Sequence, residues 1–277
     1  MAYPSLLTIW DGAETSAAAL DRAMHLASDG RHLDVLCLTT HFVPTTFYAA
    51  DFSYDLGTNI YENALKKAQT LAEEAKTRLG ATDIPHTVRH TSLTTAEMPA
   101  SLGNAAWPYD LAILPKPYAD GDSLQGEAVL DAILFNTTTP ILMIPPGQEP
   151  KSPQRIIIAW NGSREALRAI RAALPILREA SLVEIVMFDP PRHDADEPDA
   201  GRRLAEMLAR HDVKLELVHL PQTTHSLADA LMKRADEIGA DLIVMGAYGH
   251  SRFRERVLGG ATRDMLTAAR LPVFMAH

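Results

Sequence analysis

The sequence predicts an α/β protein made of two tandem, doubly wound, mainly parallel five-stranded sheets. Three observations predict it. The run Leu6-Leu7-Thr8-Ile9-Trp10-Asp11-Gly12 resembles Ile156-Ile157-Ile158-Ala159-Trp160-Asn161-Gly162 at a separation of 150. Short apolar runs alternate with stretches whose apolar residues recur at helical spacing. A proline-rich segment, 145–153, divides the chain.

Each half reads strand, helix, strand, helix, strand, helix, strand, helix, strand. In the second half the strands fall near 155–160, 182–188, 214–219, 241–245 and 271–276. The first, second and fourth are nearly continuous apolar runs, as parallel strands covered on both faces require. Ala166, Ile170, Ala173, Leu174 and Leu177 give one helical stripe; Leu227, Ala230, Leu231 and Ile238 give another. Such alternation implies right-handed crossovers around a doubly wound sheet. Asp110-Leu111-Ala112-Ile113-Leu114 repeats as Asp241-Leu242-Ile243-Val244-Met245, offset by 131. Thr139-Pro140-Ile141-Leu142-Met143 repeats as Leu271-Pro272-Val273-Phe274-Met275, offset by 132. The first half therefore carries about 18 or 19 extra residues, placed by their composition between His41 and Tyr61. Pro145-Pro146-Gly147-Gln148-Glu149-Pro150-Lys151-Ser152-Pro153 can continue neither a helix nor a central strand. The expected domains are thus 1–146 and 153–277.

With 277 residues, 47% hydrophobic and 22% charged, the composition is that of a soluble globular protein. No apolar run reaches the roughly 20 residues of a membrane span. Met1-Ala2-Tyr3-Pro4 lacks the basic region and apolar stretch of a signal peptide. Cys37 is the only cysteine and sits in an apolar strand pattern, so it reads as a buried, inert thiol. A cytoplasmic location is expected. The net charge of −9 argues against nucleic acid and anionic membrane as partners. A local basic cluster occurs at Arg252, Arg254, Arg256 and Arg263.

Ligands of doubly wound sheets bind beyond the carboxyl ends of the strands, where strand order reverses. That directs attention to the turns after Trp160, Met187 and Met245. The last runs Gly246-Ala247-Tyr248-Gly249-His250-Ser251-Arg252 and continues to Gly259-Gly260-Ala261-Thr262, which opens the final helix. Glycine permits positive φ and close backbone approach, and a helix start favours an anion such as phosphate. In the first half the matching turn reads Pro115-Lys116-Pro117-Tyr118-Ala119-Asp120-Gly121, with no glycine cradle and with Asp120 and Asp122 opposing any phosphate. His193-Asp194-Ala195-Asp196-Glu197 reads as a solvated loop rather than a metal site. The P-loop, H-E-x-x-H and G-x-S-x-G patterns are absent, and Ser163 reads as a helix N-cap.

The spacing of Gly246, Gly249 and Gly259 resembles the ATP-binding signature of the universal stress protein family. Trp160-Asn161-Gly162-Ser163 is similar to that family's Asp-Gly-Ser turn. The resemblance covers the chain as two copies and implies a Rossmann-like, adenine-nucleotide-alpha-hydrolase-like fold. It implies an adenine nucleotide, ATP or AMP, with Mg2+ only alongside it. Carried onto this sequence, the ligand-binding residues are Asn161, Gly162, Met187, Met245, Gly246, Gly249, His250, Arg252, Gly259, Gly260, Ala261 and Thr262. Two positions depart from the family: Asn161 stands in place of its aspartate, and Gly260 in place of Ser or Thr.

The expectation is a stress-response sensor that binds nucleotide in its C-terminal half and is not an enzyme. The alternatives are a non-nucleotide scaffold or small-ligand module that uses the first-half insertion as a lid, and a slow ATPase. The resemblance further implies an internal pseudo-dimer of the two halves, with strands 140–145 and 271–276 side by side. A homodimer and a protein partner of unknown identity are the other associations expected.

Overall fold

The structure is a computed structural model that describes residues 3–42, 50–118, 123–188, 200–221, 226–248 and 260–277. The chain divides into two compact units, Met1–Thr139 and Pro140–His277.

In the first unit the strands are β1 (Ser5–Trp10), β2 (His32–Thr40), β3 (His86–Leu93) and β4 (Leu111–Pro115). All pair in parallel, in the order β3-β2-β1-β4. Between them run helices α1 (Glu14–Ala27), α2 (Ala50–Gly80) and α3 (Met98–Ala106), and α4 (Ser123–Asn136) follows β4. The second unit opens with β5 (Ile141–Ile144) and continues through β6 (Arg155–Ala159), α5 (Arg164–Glu179), β7 (Leu182–Phe188), α6 (Ala200–Ala209), β8 (Leu215–Leu220), α7 (Leu227–Ile238), β9 (Leu242–Gly246), α8 (Ala261–Ala268) and β10 (Val273–Ala276). Its strands run in the order β5-β10-β9-β6-β7-β8, all parallel except β5, which lies antiparallel to β10.

The mixed, mainly parallel α/β architecture matches the expectation, and each second-half strand falls within two residues of its predicted place. The strands expected side by side near 140–145 and 271–276 pair directly, Leu142 opposite Phe274. By sequence repeat β5 is the fifth strand of the first half; it lies in the second compact unit, antiparallel to β10. The extra first-half residues lengthen α2 to 31 residues, against 10 for α6.

The sheets carry the core. Leu6, Leu7, Leu33, Val35, Leu111, Ala112 and Ile113 have no exposure in the first unit, nor do Ile156, Ile157, Ile158, Val183, Ile185, Ile243 and Val244 in the second. At about 25 cal/mol per Å2 of apolar area removed from water, such strands supply the main stabilisation. Cys37 is buried in β2, and burial pushes its thiol up to about 12, with Glu74 adding to the rise. The α7 stripe differs from its sequence reading: Ala228, Leu231, Met232 and Ala235 are buried, while Ala230 lines a surface cavity. On this helix the Arg234 side chain reaches Glu184 of β7.

One device recurs in both units. Asp110, just before β4, accepts a hydrogen bond from the Ser5 N–H at 2.9 Å. Asp241, just before β9, accepts from the N–H groups of Gln154 and Arg155 at 2.9 and 3.0 Å, and pairs with Lys151. Each aspartate thus anchors the start of its unit's first repeat strand. Burial opposes the charge on Asp241, but Lys151 and the two N–H donors outweigh it and hold the carboxyl below its usual range.

Candidate functional site

Strand order reverses at β6, which pairs with β7 on one side and β9 on the other. The crevice of a doubly wound sheet opens at such a point. Three segments converge on it: the turn 161–163 after β6, the turn 246–248 after β9, and the start of α8.

The first turn is held by its own side chains. The Asn161 Oδ1 accepts from the Ser163 N–H at 3.1 Å, and the Ser163 hydroxyl accepts from the Ala166 N–H at 3.1 Å, which caps α5. Closing the turn with the Asn161 oxygen leaves its amide nitrogen as the donor it can offer a ligand. Gly162 is exposed at φ +77, and among the described residues nothing lies within 4 Å of where its Cβ would stand.

Gly246 serves a different purpose from the one its sequence context suggests. Its φ is not in the left-handed range, and its close approach is to protein backbone. A Cβ there would lie 2.7 Å from the Glu165 carbonyl carbon and closer still to the Ala166 nitrogen. The glycine lets the first turn of α5 sit directly on the end of β9. The positive φ in this turn belongs to Tyr248, at +53. Its N–H donates to the Thr262 hydroxyl at 3.0 Å, and Thr262 is only 3% exposed. The Ala247 N–H donates to the Ala276 carbonyl at 3.0 Å, and the His277 Nδ1 lies 3.0 Å from the Ala247 carbonyl. The turn after β9 is thus fixed from α8 and from the end of β10 before any ligand arrives. Gly260 is the N-cap of α8, with extended backbone and no side-chain cap, and Ala261 is exposed beside it.

Met245 is a core side chain, 4% exposed. Met187 turns its sulfur against α6 at Gly201, where a Cβ would collide with it. The structure therefore gathers Asn161, Gly162, Gly246, Gly260, Ala261 and Thr262 around the crevice and uses Met245 for packing. Gly249, His250, Arg252 and Gly259 lie outside the described residues, as do Asp120, Asp122, Arg254, Arg256 and the segment His193–Glu197. Arg263 is exposed in the first turn of α8.

The same place in the first unit is built differently. The Asp11 Oδ1 accepts from the Ala13 N–H at 2.9 Å, as Asn161 does from Ser163. Gly12, at φ +84, lies under α2, where a Cβ would come within 2.6 Å of Leu71 Cδ2. Tyr118, at the position repeated as Gly249, adopts φ +67 without being glycine. Trp10 is 6% exposed, with the Arg78 guanidinium 5.5 Å from its ring centre. The indole N–H groups of Trp10 and Trp160 are buried without an acceptor among the described residues. His41 and Ser92 touch at 2.9 Å, but Ser92 is 4% exposed and the imidazole stacks edge-on against Tyr61, so the pair is structural.

Sequence reasoning missed the contact of Leu71 over Gly12, which joins residues 59 positions apart. It also missed the buried pair of Glu184 and Arg234. Glu184 is 2% exposed in β7, and the guanidinium of Arg234 meets both its carboxylate oxygens at 2.9 Å. That bond raises the Arg234 pKa, with Glu237 adding to it. Among the described residues no group of three His, Cys, Asp or Glu could hold a metal, and no helix is long and apolar enough to cross a membrane.

Comparison with known proteins is consistent with this architecture. Residues 153–277 match the model of the universal stress protein family. The universal stress protein Slr1230 of Synechocystis sp. (strain PCC 6803) is 23% identical over 290 residues, spanning 97% of this chain and 98% of that protein. A universal stress protein structure from Archaeoglobus fulgidus DSM 4304 superposes with a TM-score of 0.69 at 17% identity, covering 98% of this chain and 95% of that one. A functionally unknown protein from Pseudomonas aeruginosa PAO1 superposes with a TM-score of 0.57 at 16% identity, covering 99% and 92%. At these identities the two structures attest the fold alone. The second half, residues 153–277, matches the universal stress protein family, and the full length is similar to the Synechocystis relative.

Proposed function

We propose that the second half, residues 153–277, binds an adenine nucleotide, ATP or AMP, and that the chain is a stress-response sensor or regulator rather than a catalyst. The observation that carries this reading is the open turn at the β6 switch point. Among the described residues nothing covers Gly162 there, and the start of α8, with no side-chain cap among them, lies across the same strand ends. Backbone N–H groups at a helix start suit a phosphate. Gly162, the Asn161 amide and the first residues of α8 would hold the ligand, and Mg2+ would enter only with it. Turnover needs a metal-binding carboxylate or hydroxyl and a group to position water. Asn161 carries no charge, and the Thr262 hydroxyl is already bonded to Tyr248. Binding alone is enough for signalling, since a ligand at a hundred times its dissociation constant stabilises the fold by about 2.7 kcal/mol.

A second reading, a scaffold or carrier of some other small ligand, is favoured by one observation. Two polar side chains of the site, Asn161 and Thr262, are engaged with backbone N–H groups of the site itself. One experiment separates the two. Purified protein is extracted for co-purifying nucleotide by mass spectrometry, and melting curves are recorded with ATP and AMP, with and without Mg2+. A melting shift without phosphate release is expected. Phosphate release at ordinary enzyme rates would overturn the sensor reading, and no shift with either nucleotide would favour the scaffold.

A further inference from the structure

The outward face of α5 carries Arg164, Arg168, Arg171 and Arg178, all exposed. At 100° per residue the four fall within about 80° of one another. They lie opposite the buried face formed by Ala166, Ala169, Ile170, Ala173 and Leu177. None has an ion-pair partner among the described residues. Glu165 and Glu179 flank the stripe and make no ion pair with it there. An exposed helix face ordinarily mixes signs, because opposite charges three or four residues apart support the helix and like charges weaken it. Here the spacing of four, then three, sets arginine beside arginine. Arg164 also stands in the first turn, where the helix dipole disfavours a cation. A local rule broken in this way, with nothing among the described residues to offset it, marks a surface kept for something else.

The first unit shows that the scaffold does not require the stripe. The repeat offset of 150 places Glu14, Ala18, Asp21 and His25 of α1, and Ser28 at its C-cap, where α5 has Arg164, Arg168, Arg171, Pro175 and Arg178. Charge is distributed as unevenly over the chain. Residues 1–139 hold 8 Lys and Arg against 17 Asp and Glu; residues 140–277 hold 18 against 18.

We infer that the outward face of α5 is a docking surface for an acidic segment of a partner protein. All four cations are arginine, whose planar fork meets a carboxylate with two parallel hydrogen bonds, which lysine cannot do. The stripe extends about 21 Å along the helix at 1.5 Å per residue, which suits a short segment. A nucleic acid would run past its ends into the field of a chain whose net charge is −9. A membrane surface would require apolar side chains beside the arginines to enter the headgroups, and the apolar face of α5 is spent on the sheet.

The test uses the full chain and a fluorescein-labelled helical peptide with glutamates at positions i, i+4, i+7 and i+14 and neutral residues elsewhere. Fluorescence anisotropy at 50 mM salt should show binding that weakens at least tenfold in the Arg168→Gln/Arg171→Gln variant and again on raising the salt. A peptide with lysines at the same positions should not bind. The double variant should melt as the native chain does, since both side chains point away from the core. Equal binding by the variant, or no binding of the glutamate peptide at low salt, would overturn the proposal. So would tighter binding of a single-stranded 20-mer DNA or of phosphatidylserine vesicles, which would give the stripe to nucleic acid or membrane. Salt-sensitive self-association in sedimentation that is lost in the variant would replace the partner by a second copy of the chain.

Discussion

The turns after β1 and β6 start from nearly the same residues, Trp-Asp-Gly and Trp-Asn-Gly, and finish as different surfaces. In both, the Asp or Asn oxygen closes the turn on the N–H two residues on. In both, the glycine takes positive φ, +84 at Gly12 and +77 at Gly162. The difference is supplied from elsewhere. The long α2 lays Leu71 over Gly12, while Gly162 stays uncovered by the described residues. A repeated motif therefore fixes the local backbone but not whether the place is open. That depends on what the rest of the unit puts above it.

The sharpest way to break the comparison is to disturb the glycine at the end of β9 on which α5 packs. Gly246→Val would drive a branched side chain into the backbone of Glu165 and Ala166. Overpacking against backbone that cannot rotate away should cost about 3 kcal/mol. We expect a lower melting temperature and loss of ligand response together, because α5 carries the turn at Asn161. A variant of native stability that had lost only the ligand response would show that Gly246 meets the ligand and not the helix.

A matched pair of substitutions then isolates the roof. Gly162→Ala should destabilise by about 1 kcal/mol, from forcing alanine into positive φ. Gly12→Ala carries the same backbone cost plus the collision with Leu71, which is 6% exposed and has little room to turn, and should lose about twice as much. Equal losses in urea melts would mean that Leu71 yields freely and that the first turn is covered only loosely.

The smallest effect concerns the aspartates that anchor the first repeat strand of each unit. The carboxyl of Asp241 is held below its usual range, so the stability it contributes is present above the unfolded value near 3.8 and is lost as pH falls below it. Asp241→Asn should cost about 1 kcal/mol at neutral pH and remove part of the fall in stability below pH 4. A variant whose acid limb kept the native slope would show that the lysine and the two N–H donors do not set the charge of this group.

Much of the fold was legible because its signals are local. The apolar runs of β6, β7 and β9 are continuous, Ser163 caps α5 from its own sequence, and the repeat offset places one half on the other. The site was legible only as a location. Gly246 lies where the motif puts it, but its reason is a helix packed on it from 80 residues upstream, and no local pattern records that. Thr262 could be seen as a hydroxyl at a helix start; its bond to the Tyr248 N–H depends on a tertiary contact 14 residues away. The Glu184–Arg234 pair joins positions 50 apart, and no local pattern records it. The arginine stripe on α5 was fully written in the sequence at spacings of four, three and seven, and needed only the buried face to show which way it points.

The placement of β5 has a consequence for dividing the chain. Its sequence continues the first repeat, and it pairs with β10, whose four residues are all buried. A polypeptide cut in the segment 146–152 would leave the second half with one flank of β10 stripped of its partner. Such an edge recruits other strands. The liberated half should therefore self-associate, and a short peptide spanning residues 139–146 should suppress this by acting as a donor strand in trans. The two repeats can be told apart in the sequence, but as separate polypeptides they would still share a strand.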